Sequence, residues 1–90
     1  MSKLEKTLQR WAKTPKEVDK EEVFSVLSRY DFEIEPKPGS HYVARHQCLI
    51  NQQDFGLNGE LTFAVKSGQK VKGWYLKIML RAIDIIKEEN

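Results

Sequence analysis

The chain has 90 residues and carries 15 Lys and Arg against 13 Asp and Glu, a net charge of +2, with 40% hydrophobic and 31% charged residues. That balance predicts one folded domain over residues 1–90 and excludes wholesale disorder. No run approaches the roughly 18 consecutive apolar residues of a membrane span, and the single cysteine, Cys48, excludes an intramolecular disulfide.

Leu4, Leu8 and Trp11 recur at helical spacing and predict a short amphipathic helix over 3–13. Thr14-Pro15 ends it, because proline disfavours helical geometry in the residue before it. Asp19 and Glu22 have the spacing of a capping box, and Val23, Phe24, Val26, Leu27 and Tyr30 supply the buried side of a second helix, 19–30. Asp31-Phe32-Glu33-Ile34-Glu35 alternates with period two and predicts a half-buried strand. Pro36-Lys37-Pro38-Gly39 reads as a turn, with Pro38-Gly39 at the centre of a type II geometry that places Gly39 at positive φ. A second strand then runs antiparallel from His41 to His46. Residues 47–59 hold Asn51, Asp54, Gly56, Asn58 and Gly59 and predict a loop. Leu61 to Val65 forms a third strand closed by Ser67-Gly68, and Val71 to Lys87 a final helix. The resulting fold class is α+β: a three-stranded antiparallel sheet with helices over one face and a polar opposite face.

The charge is uneven along the chain. Between Lys37 and Arg81 seven basic residues meet only Asp54 and Glu60, so this segment carries +5 and the remainder −3. Lys66, Lys70 and Lys72 cluster where the third strand meets the last helix, a local positive charge suited to phosphate groups. Tyr42, Trp74 and Tyr75 are the aromatics near enough in sequence to offer stacking surfaces to bases, although Tyr75 lies on the apolar side of its helix.

Only His41 and His46 have an ordinary pKa near neutrality. Their odd spacing places them on opposite faces of a straight strand, so they do not form an acid and base pair there. His41 follows a turn and is expected at an exposed tip, where an imidazole can take a proton from a hydroxyl. His46 reads as a strand-end residue satisfied by backbone or water. Ser40 has no orienting acid and is a poor nucleophile candidate. Cys48 with two histidines is a poor zinc set, so no metal or cofactor is expected. The charged opening Met1-Ser2-Lys3-Leu4-Glu5-Lys6 lacks a signal peptide's apolar stretch, and a cytoplasmic location is expected.

Three stretches together resemble the HicA family of toxins from HicA–HicB toxin–antitoxin systems: Val23 to Glu33, Gly39-Ser40-His41-Tyr42-Val43-Ala44-Arg45-His46, and Val71 to Leu80 with its Tyr75-Leu76-Lys77 centre. The resemblance implies a fold like a double-stranded-RNA-binding domain in the core, 19–88, with 3–13 an additional N-terminal helix. It implies a metal-independent endoribonuclease that cleaves mRNA and is inhibited by a HicB-type antitoxin, with His41 of the Gly-Ser-His triplet as the catalytic residue. Two positions depart from the family pattern. Asp31 stands where a glycine is usual, and Ala64-Val65-Lys66 stands where many members carry a proline and a second histidine.

The expected site therefore has His41 as catalytic base on a ribose 2′-hydroxyl, Gly39 shaping the turn that presents it, Gly39 and Ser40 among the RNA-binding residues, and Lys37, Arg45, Lys66, Lys70 and Lys72 holding phosphates. A non-catalytic RNA-binding module, or one that only pairs with an antitoxin protein, is the alternative.

Overall fold

Alternation of apolar and polar residues is what makes a strand two-faced, and three strands here obey it. In the computed structural model, which describes residues 2–89, β2 (Glu33–Lys37), β3 (His41–Arg45) and β4 (Glu60–Ala64) form an antiparallel sheet in the order β2-β3-β4. Ile34, Tyr42, Ala44, Leu61 and Phe63 lie on its inner face, where Ala44 and Phe63 have no exposed surface. Three helices join this core: α1 (Lys3–Ala12), α2 (Lys20–Arg29) and α3 (Gly73–Glu89). Leu76, Met79, Ala82, Ile83 and Ile86 of α3 and Val23, Val26 and Leu27 of α2 are buried with the sheet residues, each large side chain contributing about 1.5–3 kcal/mol.

The first helix is part of this core. Trp11 is only 1% exposed, and its indole N–H donates to Glu22 Oε2 at 2.8 Å. Arg10 donates to Oε1 of the same carboxylate at 3.0 Å. This engages Glu22 elsewhere than the expected capping box. Asp19 occupies the position before α2 but makes no side-chain cap bond. Instead the Lys20 N–H donates to the Gln69 carbonyl, 2.8 Å, so backbone from a distant segment satisfies part of the helix start.

That distant segment belongs to a second sheet that sequence reasoning missed. β1 (Glu17–Asp19) and β5 (Lys70–Lys72) pair antiparallel, with Val18 opposite Val71 and both buried. Val71 and Lys72 were expected to open the last helix. Pairing with β1 holds them extended, and α3 starts at Gly73. The second correction is in β2, which runs through Pro36 to Lys37, the expected turn. β2 is an edge strand, where proline's missing N–H costs no ladder bond. The loop 47–59 opens with a 3-10 turn, Gln47–Leu49, that buries Leu49 completely.

The end of α2 explains the departure at Asp31. The Phe32 N–H donates to the Leu27 carbonyl and the Asp31 N–H to Ser28, both at 3.1 Å, with Asp31 at φ +65°. This is a Schellman motif with a left-handed residue after the cap. Aspartate tolerates that conformation better than most residues, which is how the chain turns here without glycine.

Candidate active site

His41 opens β3 and pairs across the hairpin with Lys37 and across the sheet with Ala64. Alternation places it with Lys37, Arg45 and the β2 glutamates on the polar outer face, exposed. The loop before it is left-handed at two successive residues, Gly39 at φ +79° and Ser40 at φ +64°. Gly39 meets the positive φ expected of it. The Ser40 carbonyl accepts from the Val65 N–H at 3.0 Å, fastening the tip to the end of β4. Among the described residues the exposed His41 ring makes no hydrogen bond, and its Nδ1 lies 3.4 Å from where a Cβ on Gly39 would stand.

The basic cluster is organised differently from the sequence count. Arg45 donates to Glu35 at 2.7 Å and lies 3.3 Å from Glu60 and 3.9 Å from Glu33. Lys37 pairs with Glu35 at 3.0 Å, Lys72 with Glu17 at 3.7 Å, and Lys70 with Asp19. The cause is strand register. Glu33 and Glu60 sit opposite Arg45, Glu17 opposite Lys72, and Asp19 opposite Lys70. Register thus brings Glu17 and Asp19 directly across from Lys72 and Lys70, far along the chain, and sets Arg45 between Glu33 and Glu60, while Glu35 reaches Lys37 along its own strand. Of the expected phosphate-binding cations, Lys66 is the one with no carboxylate within 4 Å among the described residues. It follows Val65, whose N–H is bonded to the tip. The three lysine pairs are solvent-exposed and individually weak, so a phosphate can compete for each lysine. Arg45, held by three carboxylates, is a structural clamp.

The electrostatics follow these contacts. Arg45 first and Lys37 second hold the Glu35 carboxyl below the usual carboxylate range. The Arg45 guanidinium is pushed further up, chiefly by Glu35, and Asp19 raises Lys70.

His46 has a structural task. Its Nδ1 accepts the Cys48 N–H at 3.0 Å, and its ring meets Phe32 edge-on with centroids 5.3 Å apart. A concavity of about 620 Å³ lies at this end of β3, among Arg29, Asp31, Glu33, Arg45, His46 and Cys48. His41 is at the strand's other end and outside it. Tyr42 is half-buried, stacked on Phe63 at 5.6 Å and edge-on to Phe24 at 5.1 Å, which commits it to the core. Trp74, by contrast, is 63% exposed. Among the described residues no three His, Cys, Asp or Glu side chains converge as a metal-ligand set, and no helix is long and apolar enough to cross a membrane. Compared with protein-family models, curated proteins and solved structures, the chain matches none.

Proposed function

We propose that this protein is an endoribonuclease toxin of the HicA type, with a fold of the double-stranded-RNA-binding kind, acting on mRNA at the β2–β3 tip. The observation that carries the reading is an exposed imidazole with no hydrogen-bond partner among the described residues, on a tip fastened by the Val65 N–H to the Ser40 carbonyl, opposite Lys37 and with Lys66 next after Val65. The resemblance to the family in the Gly39-Ser40-His41 triplet supports it.

In this reading neutral His41 takes the proton of a ribose 2′-hydroxyl. The 2′-oxygen attacks the adjacent phosphorus, the bond from phosphorus to the 5′-oxygen breaks, and the products are a 2′,3′-cyclic phosphate and a 5′-hydroxyl. Water supplies the proton to the leaving 5′-oxygen, since the tip holds one imidazole. Lys66 and Lys37 face the charge that grows on the phosphoryl oxygens. A HicB-type antitoxin inhibits by covering the tip, and the cell compartment is the cytoplasm.

The experiment compares wild type with His41→Ala on defined RNA and on the same RNA carrying a 2′-deoxy sugar at the cut site. General-base help is worth about two to four powers of ten in rate, so His41→Ala falls by that much and the deoxy substrate is not cut at all. Equal cleavage by His41→Ala refutes the assignment. The single imidazole and three outer-face glutamates favour, as second reading, a non-catalytic RNA-binding or antitoxin-pairing module. RNA that is retained by wild type yet recovered intact selects it.

A further inference from the structure

A second surface lies where β5 enters α3, outside the tip. There Thr14, Pro15, Lys16, Lys72, Gly73, Trp74 and Lys77 line an open cleft of about 370 Å³. Three of these seven are lysines and none is a carboxylate. Lys16 and Lys77 have no carboxylate within 4 Å among the described residues, and Lys72 has only the 3.7 Å contact to Glu17. The indole of Trp74 is 63% exposed and leans on Tyr75 at a 42° tilt with ring centroids 5.7 Å apart. Among the described residues no ammonium group lies over this indole, the one such contact being Lys20 on Phe24. The other tryptophan, Trp11, is buried and hydrogen-bonded. The first turn of α3 carries no acidic residue, so its N-terminal N–H groups add to the positive field.

We propose that this cleft binds single-stranded RNA, with an unpaired base stacked on Trp74 and the flanking phosphates on Lys16, Lys72 and Lys77. An aromatic platform within a cationic rim is the combination that holds a single strand, whose bases are free to stack and whose phosphates lie on both sides. A surface evolved only to meet anions needs the lysines and not the indole; one evolved only for apolar contact needs the indole and not the lysines. The proposal deepens the RNA reading of the tip by adding a place where uncut strand is held, and it rests on that reading for the identity of the polymer.

Because Trp11 is buried, quenching of the exposed indole reports on this cleft. The experiment titrates wild type and His41→Ala with a short unstructured RNA, an RNA duplex of the same length, a mononucleotide, and polyphosphate, following tryptophan emission, and measures the affinity of every variant from the anisotropy of the same RNA carrying a fluorescent label. The single strand is expected to quench Trp74, and Trp74→Ala to bind it about tenfold more weakly, with Trp74→Phe in between. Lys16→Ala and Lys77→Ala each reduce the salt dependence of binding, by about 0.7 in the log–log slope. Circular dichroism of each variant checks that the fold is kept. Unchanged affinity in Trp74→Ala overturns the cleft while leaving the tip reading intact. Quenching without any cleavage by wild type sinks the nuclease and keeps the cleft. Duplex or polyphosphate binding as tightly as the single strand, with indole emission unmoved, overturns the stacking. A mononucleotide matching the oligonucleotide in affinity overturns the strand and leaves a nucleotide site.

Discussion

Replacing Gly73 by alanine tests how the two sheets and the last helix are locked together. A Cβ at this position would stand 1.9 Å from the Pro15 carbonyl oxygen, 3.1 Å from the Pro15 carbonyl carbon and 3.2 Å from the Lys16 oxygen. The first contact is with backbone, so no side chain can swing away. The Gly73 N–H also donates to the Lys16 carbonyl at 2.8 Å, and that bond joins the start of α3 to the segment entering β1. To relieve the clash the two backbones must part by more than 1 Å (an ordinary carbon–oxygen contact being about 3.3 Å or longer). Overpacking of this kind costs about 1–3 kcal/mol, and stretching the hydrogen bond adds about 0.5–1.5 kcal/mol. Alanine's better helix propensity returns at most about 1 kcal/mol. The expected loss is therefore about 2–3 kcal/mol, or roughly 10–20 °C in Tm for a domain of this size. Chemical denaturation followed by circular dichroism measures it. Gly68→Ala is the control: its φ is +82° but nothing lies within 4 Å of the new methyl group, so it pays only for the left-handed backbone, about 1 kcal/mol. A Gly73→Ala protein as stable as wild type, or no less stable than Gly68→Ala, would refute the close approach of α3 to the Pro15-Lys16 segment.

Asp31→Gly is expected to raise stability by about 0.5–1 kcal/mol, because the left-handed φ of +65° strains aspartate and not glycine; a lower melting temperature in the variant contradicts that account. Glu35→Gln tests the outer-face clamp through pH. Arg45 and Lys37 lower the Glu35 pKa in the folded state, so its stabilising contribution is present above the unfolded-state value and is lost as the pH falls through the lower folded-state value. Wild type and Glu35→Gln should therefore differ most near neutrality and converge in acid, and a gap that stays constant across that range counts against the pairing.

Much of this architecture is legible from local pattern. The spacing of Leu4, Leu8 and Trp11, the alternation from Phe32 to Ile34 and from Leu61 to Val65, and Gly39 after Pro38 each predict what the backbone does nearby, because period and φ preference act over a few residues. The exposed tip of His41 and the engaged state of His46 follow from the same kind of reasoning. Tertiary structure decided two things. It formed β1 and β5, three residues each, whose extended state depends on pairing across the chain rather than on their own composition. It also redistributed the charge. Asp19 and Lys70 stand 51 residues apart in sequence and touch in space, and Arg45 sits between Glu35 and Glu60 from neighbouring strands. Counted along the chain, the cations look segregated. Strand register places carboxylates opposite Arg45, Lys70 and Lys72 and leaves Lys16, Lys66 and Lys77 with none within 4 Å among the described residues, which matters because Coulomb energy depends on separation in space and falls off within about a nanometre in salt.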